Sequence, residues 1–274
     1  MNILFIGDVF GRPGRDLVRK GLRPLVSYYD VDFVVANVEN AAGGFGITRE
    51  IGDTIAAGGV DVMTSGNHIW DKKEAVDYVA AEPRLLRPAN YPSGVPGRGS
   101  ILARTPTGRG VGVINLMGRV FMGPLDDPFA AVLREIDGFA GRTRVILVDF
   151  HAEATSEKIA MGWHLDGRVT AVIGTHTHVQ TADDRILPNG TAYITDAGMT
   201  GPHDSIIGTE RGPALARFLT GMPSRFEPAV GNPRLHGVVI AVDDATGRAT
   251  GMTRLDCTPA DLERMDAETA RETS

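Results

Sequence analysis

The segment Ile3-Leu4-Phe5-Ile6-Gly7-Asp8 is a short apolar run that stops at a glycine and an acidic residue. Four consecutive apolar residues bounded by polar ones are typical of a strand that is buried on both faces. No basic segment precedes the run, so it is not expected to be a signal peptide. The segment therefore predicts a buried first strand whose carboxyl end carries Asp8.

The segments that follow alternate between helical and apolar patterns. Helix periodicity over residues 16–29 leads to a second predicted strand at residues 33–36. Thr48 is predicted to cap the next helix, because a threonine side chain accepts a hydrogen bond from the first turn. A third strand at 60–63 and a helix at 72–81 complete the series. This alternation favours a largely parallel sheet that is covered by helices.

The rest of the chain continues the α/β pattern. Further strands are predicted at 111–114, 145–148, 169–173 and 193–195, a helix at 128–139, and a late hairpin from 238–242 and 249–254. No repeat or linker interrupts the series. We predict one domain over residues 1–256, built from two packed sheets with helices outside. Residues 257–274 are expected to be a polar tail that forms a short helix or is disordered.

Composition excludes several classes of protein. The chain has 274 residues, with 28 Lys and Arg against 34 Asp and Glu, so its formal net charge is −6. A duplex nucleic acid is not an expected partner, because binding it requires a large basic surface. No apolar run approaches the roughly 18 residues of a membrane-spanning helix, so we predict a cytoplasmic protein without a membrane partner. The single cysteine, Cys257, excludes an intramolecular disulfide and a cysteine-based metal site.

Side chains that can bind metals recur where the predicted strands end. The carboxyl ends of strands in an open α/β sheet border the ligand crevice, so these side chains are expected to lie together. His176 and His178 are two residues apart, and in an extended strand end both would face the same side. A lone histidine is more often structural, but the set as a whole favours a metal site. The residues concerned are Asp8, Glu39, Asn40, Asn67, His68, His151, His176 and His178.

The residue types suit a particular chemistry. Sites that hydrolyse phosphoesters commonly hold two metals about 3.5–4 Å apart, and such a pair needs an anionic bridge. Glu39 or Asp8 can supply that bridge, while Asn67 offers a neutral oxygen. Because all ligands are oxygen or nitrogen, the site suits manganese, iron, cobalt, nickel or zinc.

Four short motifs that contain these residues occur in the order that is typical of one superfamily. They resemble the calcineurin-like metallophosphoesterases in Gly7-Asp8, Gly66-Asn67-His68, His151 and Gly174-Thr175-His176-Thr177-His178. Two departures from the superfamily's motifs restrict the resemblance to one family within it. The first motif reads Asp8-Val9-Phe10 instead of Asp-x-His, and the second reads Val38-Glu39-Asn40-Ala41-Ala42-Gly43 instead of Gly-Asp-x-x-Asp. With the longer motifs at 86–90, 149–158 and 175–181, the chain resembles the YmdB-like family of bacterial phosphodiesterases.

The resemblance covers residues 1 to about 254 and implies both a fold and an activity. The implied fold is a four-layer α/β/β/α sandwich with two mixed sheets. The implied activity is that of a 2′,3′-cyclic-nucleotide 2′-phosphodiesterase, which forms the 3′-nucleotide at a site of two metal ions. Iron or manganese is the expected metal, with zinc, cobalt or nickel as other options. The resemblance also points to a homo-oligomer.

Roles carry over from the family position by position. Asp8 and His178 would bind one metal. Asn67, His151 and His176 would bind the other. Glu39 would bridge the two ions, and Asn40 would be an auxiliary ligand.

His68 follows the ligand Asn67, and the resemblance makes it the proton donor to the leaving 2′-oxygen. Protonation of an alkoxide by a nearby imidazole is worth about 10²–10⁴-fold in rate. The alternative role for His68 is to orient a metal ligand.

Two other readings of function stay open at this point. A phosphatase or phosphodiesterase of broader specificity would use the same residues on other small phosphate esters. A regulatory protein would instead sense a nucleotide at this site and act through a partner. Phe45 and Trp70 could stack on a base, although the apolar context of Trp70 favours packing in the core.

Overall fold

The computed structural model describes residues 1–272, and strands β1–β13 make up its two sheets. In chain order the strands are β1 Asn2–Ile6, β2 Asp8–Val9, β3 Val31–Asn37, β4 Val62–Thr64, β5 Ser100–Arg104, β6 Gly110–Met117, β7 Ile146–His151, β8 Ala171–Thr175, β9 Arg185–Ile186, β10 Ala192–Ile194, β11 Met199–Pro202, β12 Pro233–Val242 and β13 Ala249–Cys257. The first sheet has the order β2-β11-β12-β1-β3-β4, with β13 also paired to β12. The second has the order β5-β6-β7-β8-β10-β9.

Both sheets are mixed, and each contains a block of neighbouring parallel strands. Strands β1, β3 and β4 run parallel at one side of the first sheet, and β6, β7, β8 and β10 run parallel in the middle of the second. Each block has an antiparallel neighbour, β12 beside β1 and β5 beside β6. The carboxyl ends of the parallel strands therefore form one edge of each sheet, as the sequence predicted.

Helices cover the outer faces of the two sheets. They are α1 Gly11–Tyr28, α2 Arg49–Ala57, α3 Ala75–Ala81, α4 Pro128–Gly138, α5 Thr155–Leu165, α6 Arg211–Thr220 and α7 Pro259–Glu272. Thr48 caps α2 as predicted, since its side chain accepts a hydrogen bond from the Ile51 amide. No helix among the described residues is long and apolar enough to cross a membrane.

Three apolar clusters lie between four layers. Leu4 and Ile6 of β1 face a cluster that includes residues of α1, while Ile3 and Phe5 face a cluster shared with the second sheet. A third cluster packs α4 and α5 on the outer face of the second sheet, with Met161 fully buried. This alternation along each strand follows from the two-residue period of its side chains. The predicted α/β/β/α sandwich with two mixed sheets is confirmed.

Helix α1 begins at Gly11, which corrects the predicted start of this helix at residue 16. Pro13 falls in the first turn, where a backbone N–H has no partner within the helix, so proline is tolerated there. A Cβ on Gly14 would lie 2.2 Å from the Thr200 carbonyl oxygen, so this glycine lets α1 approach β11 closely. Helices α5 and α6 and strand β11 were not predicted.

The predicted polar tail forms helix α7 over Pro259–Glu272, and its residues 273 and 274 lie outside the described residues. Leu262 and Met265 of α7 are buried in the same cluster as Leu17 of α1. The domain boundary after residue 256 stays a prediction, and the packing of α7 supplies a way to test it.

Candidate metal centre

The two sheets bring their strand ends together at one place. Asp8 lies in β2 directly after β1, and Glu39 follows the end of β3. His151 is the last residue of β7, and His176 follows β8. Asn67 follows β4 by three positions. Contacts between their side chains, given below, show that the predicted residues of both sheets meet at this edge.

His151 Nε2 is the centre of the cluster. It lies 2.9 Å from Asn67 Oδ1, 3.0 Å from His176 Nδ1 and 3.1 Å from Glu39 Oε1. Ligand atoms of Glu39, His151 and His176 all lie within 4.8 Å of one another. A single N–H can donate to only one of three such acceptors, whereas a cation can be shared by all four atoms. The arrangement therefore fits residues that could hold a metal ion.

Asp8 joins the cluster on its other side. Its Oδ1 lies 3.9 Å from His178 Nε2 and 4.0 Å from His151 Nδ1. Its Oδ2 accepts a hydrogen bond from the backbone amide of His176 at 3.3 Å. Burial raises the pKa of Asp8, and the nearby His178 and His151 oppose that rise. Asn40 forms its hydrogen bond outside the cluster: its Nδ2 donates to the Gly44 carbonyl at 3.1 Å.

Six buried side-chain atoms have no hydrogen-bond partner within residues 1–272, and three of them, on Tyr78, His164 and His236, lie outside the site. The other three are oxygens: Asp8 Oδ1, Glu39 Oε1 and Asn40 Oδ1. Buried polar atoms are almost always hydrogen-bonded, and an unpaired one costs about 1–3 kcal/mol. All three belong to residues that the sequence predicts as metal ligands. Oxygen atoms of this kind, beside imidazole nitrogens, are the donor set that divalent transition metals accept. The residues present therefore fit a metal.

Each of the three histidines has one nitrogen held by an acceptor outside the cluster. His151 Nδ1 lies 2.9 Å from the Thr175 hydroxyl, and His178 Nδ1 donates to the Ile207 carbonyl at 2.8 Å. His176 Nε2 lies 3.1 Å from a Glu153 oxygen. Partners of this kind fix the tautomer of a histidine that binds metal, so that its other nitrogen faces the ion. The second nitrogen of each ring faces the cluster here.

The loop that carries His176 and His178 is not an extended strand end, which corrects the geometry expected from their spacing. Their φ angles are +102° and +66°, in the left-handed region that side chains rarely adopt. Backbone strain of this kind costs about 1–3 kcal/mol per residue and persists only where the surroundings impose it. Asp196 does so here: its Oδ2 accepts hydrogen bonds from the Thr177 amide and hydroxyl.

Glu39 and His151 are both fully buried, and each shifts the pKa of the other. Burial alone would raise the pKa of Glu39, but the neighbouring charge of His151 lowers it to about 2. Burial likewise opposes protonation of His151, but Glu39 raises its pKa to about 9. Burial and the neighbouring His151 lower the pKa of His176 to about 3. A metal ion that binds His151 Nε2 must therefore displace a proton from it.

His68 lies at the mouth of the site rather than inside it. Its backbone amide donates to Glu39 Oε2 at 3.0 Å, and its ring Nδ1 lies 2.7 Å from Asp71 Oδ2. The Phe45 ring contacts it edge to face, with 5.0 Å between the ring centroids. Trp70 is half-buried and packs against the first apolar cluster, as expected. The position of the histidine absent from the first motif is taken by Phe10, whose ring packs against His178.

Sequence reasoning missed four residues that contact the site. Asp71 is one turn away from His68, and Thr175 lies inside a motif without an assigned role. Asp149 and Glu153 stand two positions before and after His151 in the chain. A strand places residues two apart on one face, so the spacing of Asp149 from His151 was the available signal, whereas Glu153 lies beyond the end of β7.

A four-layer α/β/β/α sandwich with a cluster of carboxylate, amide and imidazole side chains at its strand ends is typical of a protein of the metallophosphoesterase type. The model of the family described as YmdB-like protein matches residues 4–255. The chain belongs to this family.

Relatives and solved structures agree with that assignment. The chain is 52% identical over 255 residues to the 2′,3′-cyclic-nucleotide 2′-phosphodiesterase of Bacillus subtilis, covering 93% of this chain and 96% of the relative. A crystal structure of a hypothetical protein from Thermus thermophilus matches with a TM-score of 0.88 and 44% identity, over 94% of this chain and 99% of that one. A crystal structure of a novel phosphatase from Mycoplasma pneumoniae also has a TM-score of 0.88, with 34% identity and 96% of both chains covered.

Proposed function

We propose that this protein is a metal-dependent phosphodiesterase that hydrolyses 2′,3′-cyclic nucleotides to 3′-nucleotides. The observation that carries the proposal is the set of unpaired buried oxygens of Asp8, Glu39 and Asn40 beside three oriented histidines. The substrate class follows from the similarity to the 2′,3′-cyclic-nucleotide 2′-phosphodiesterase of Bacillus subtilis. A buried donor set of this kind has a high free-energy cost unless a cation pairs with it.

The ligands divide into two groups around Glu39. Asp8 and His178 would hold one metal ion, and their atoms Oδ1 and Nε2 lie 3.9 Å apart. Glu39 would bridge to the second ion, with Asn40 as an auxiliary ligand. The second ion would be held by Asn67, His151 and His176, whose ligand atoms converge on one point. Iron or manganese best suits this set, with zinc, cobalt or nickel as alternatives.

Bound metal ions supply an acidified water as nucleophile and stabilise negative charge on the phosphate oxygens. The chain itself supplies the proton for the leaving group. Asp71 holds Nδ1 of His68, which leaves His68 Nε2 as the nitrogen that can donate. The water would lose one proton to solvent before its oxygen bonds to phosphorus, the bond to the 2′-oxygen would break, and the 2′-oxygen would take the proton of His68. The phosphate stays on the 3′-oxygen.

Hydrolysis of 2′,3′-cyclic AMP by the manganese-loaded protein tests the proposal. We expect 3′-AMP as the product, identified by chromatography against 2′-AMP. Glu39→Gln should abolish turnover, because it removes the carboxylate charge that would bridge the ions. Glu135→Gln is the control, since Glu135 is also hydrogen-bonded but is only half-buried and lies on α4. A folded, manganese-loaded protein without turnover, or formation of 2′-AMP, would contradict the assignment.

A phosphatase or phosphodiesterase of broader specificity is the second candidate. The structurally similar protein from Mycoplasma pneumoniae is titled a phosphatase, which favours this alternative. A panel of small phosphate monoesters and diesters separates the two. Activity on 2′,3′-cyclic AMP that exceeds activity on every monoester would favour the phosphodiesterase.

A further inference from the structure

Asp149 is a fully buried carboxylate on β7 that no step of the proposed reaction uses. Its Oδ1 accepts a hydrogen bond from the Thr175 hydroxyl at 2.7 Å. Its Oδ2 accepts one from Asn37 Nδ2 at 3.0 Å and a short one from the Thr64 hydroxyl. In the described part of the chain no lysine or arginine forms an ion pair with it. Its burial is therefore supported only by these three donors.

The three donors stand at the ends of three strands that lead to the metal centre. Asn37 ends β3, and its Oδ1 accepts a hydrogen bond from the Glu39 amide at 3.2 Å. Thr64 ends β4, and Thr175 ends β8 directly before the loop that carries two histidines. Asn37 and Thr64 belong to the first sheet, whereas Asp149 and Thr175 belong to the second. The Asp149 carboxylate therefore links the residues that the first sheet contributes to the site with those that the second sheet contributes.

The Thr175 hydroxyl determines how His151 is oriented. A hydroxyl has one proton to donate, and Thr175 gives it to Asp149 Oδ1. The 2.9 Å contact between Thr175 Oγ1 and His151 Nδ1 must then be a hydrogen bond that His151 donates. When Nδ1 carries the proton, the lone pair of a neutral His151 is on Nε2. This is the nitrogen that faces Asn67, His176 and Glu39.

We propose that Asp149 and Thr175 are positioning residues for the metal centre, which hold His151 in the tautomer whose Nε2 lone pair faces the ion. The inference rests on the proposed function, because it requires that His151 bind a metal. It extends that function to residues that never touch the ion or the substrate. Partners of this kind typically contribute about 10- to 100-fold to metal affinity.

Thr175→Val tests the proposal, with manganese binding measured by titration calorimetry on the full chain. Valine keeps the shape but removes the hydroxyl, so the dissociation constant should rise about 10- to 100-fold. Thr175→Ser keeps the hydroxyl and should restore affinity close to that of the wild type. Circular dichroism and thermal unfolding of the metal-free proteins show that the variants are folded.

Thr170→Val is the matched control. Thr170 is also fully buried and directly precedes β8, at the end opposite to Thr175. Its hydroxyl also takes part in two hydrogen bonds, from the Ile146 amide and to the Gly247 carbonyl. This variant should lose stability without losing manganese affinity, which separates a general effect on folding from an effect on the metal centre.

Asp149→Asn gives a second test. If the new amide nitrogen faces Asn37, it meets Asn37 Nδ2 and two donors face each other. If it faces Thr175 instead, it donates to the Thr175 hydroxyl, which can then donate its own proton to His151 Nδ1. Either arrangement should weaken manganese binding. The tautomer itself is measured by long-range ¹H–¹⁵N correlation of the histidine rings in the zinc-loaded wild type, where His151 should be protonated at Nδ1.

The outcomes separate this inference from the function on which it rests. Wild-type protein that binds no manganese would overturn the proposed function and this inference with it. Wild-type binding with unchanged affinity in Thr175→Val would overturn the inference alone, as would a His151 that is protonated at Nε2 in the zinc-loaded protein. A loss in Thr170→Val equal to that in Thr175→Val would also overturn it.

Discussion

His68 differs from the buried histidines His151 and His178 in its access to solvent. Its side chain is 27% exposed, whereas those of His151 and His178 are 0% and 6% exposed. Neither ring nitrogen takes part in the cluster, because Nδ1 is held by Asp71. A histidine that is exposed, oriented and outside the donor set is placed to exchange protons with a substrate. This geometry supports the role of proton donor over that of ligand orienter.

Substitution His68→Ala should therefore reduce turnover in a way that depends on the leaving group. For 2′,3′-cyclic AMP we expect kcat to fall by about 10²–10⁴-fold, because the 2′-alkoxide leaves poorly without a proton. For a diester with a p-nitrophenolate leaving group the loss should be much smaller. Steady-state kinetics on both substrates measures the difference.

His164→Ala is the control, since His164 is half-buried on α5 and outside the cluster. It should leave kcat unchanged on both substrates. Equal losses on both substrates in His68→Ala would speak for an orienting role and against proton donation. Asp71→Asn should reduce kcat on the cyclic nucleotide less than His68→Ala, because an amide oxygen still accepts the Nδ1 proton.

The residues of the site were predictable from sequence to different degrees. Asp8, Glu39 and the histidines follow strand ends in a recognisable order, so their convergence was predicted. The partner of His178 Nδ1 was not, because it is the backbone carbonyl of Ile207, 29 positions away. A carbonyl is present on every residue and leaves no pattern in the sequence. The positive φ angles of His176 and His178 likewise depend on contacts that only the folded chain makes.

The central strands were predicted, whereas helices α5 and α6 were missed. The strands at the sheet centres are continuous apolar runs, and their predicted positions agree with β1, β3, β6, β7 and β8. Helix α6 buries only Ala214, but Leu215 and Phe218 lie at helical spacing on an exposed face, and this spacing was the available signal. Helix α5 contains Gly162, a poor helix former, whose missing Cβ makes room for Tyr193. Packing against the sheet decides its structure instead.

Helix α5 also supplies the cation that supports the loop of the candidate metal ligands. Lys158 Nζ lies 2.7 Å from Asp196 Oδ2, and both side chains are essentially inaccessible to solvent. Asp196 in turn binds the Thr177 amide at 3.1 Å and the Gly198 amide at 2.9 Å. The pair therefore connects α5 to the strained segment between β8 and β9.

Lys158→Met should destabilise the fold, because it leaves the charge of Asp196 buried and unpaired. Breaking a buried ion pair in this way costs about 3–5 kcal/mol of the free energy of unfolding. Urea denaturation of the metal-free protein measures it. Lys73→Met is the control, since Lys73 is exposed and its loss should change the free energy by less than about 0.5 kcal/mol. Equal stability of the two variants would contradict the assigned role of the pair.

At the scale of the whole molecule, three apolar clusters lie between four layers. Helix α7 packs against the cluster that contains the buried residues of α1. Leu262 is 4% exposed and Met265 is 9% exposed. A Cβ on Gly21 would lie 2.6 Å from Leu262 Cδ1, so the glycine lets α7 approach α1 closely. This contact was not predicted from the polar composition of residues 257–274, because two buried side chains in a charged helix give only a weak apolar pattern.

Leu262→Ala should lower the free energy of unfolding by about 2–5 kcal/mol, because it removes a buried side chain and leaves a cavity beside Gly21. Urea denaturation gives that change, and Glu263→Ala, an exposed position on the same helix, is its control. Manganese affinity should not change in either variant, because α7 supplies no candidate ligand. A midpoint that stays at the wild-type value in Leu262→Ala would mean that α7 adds nothing to the cooperative unit. The domain would then end at residue 256, whereas a lowered midpoint extends it through α7.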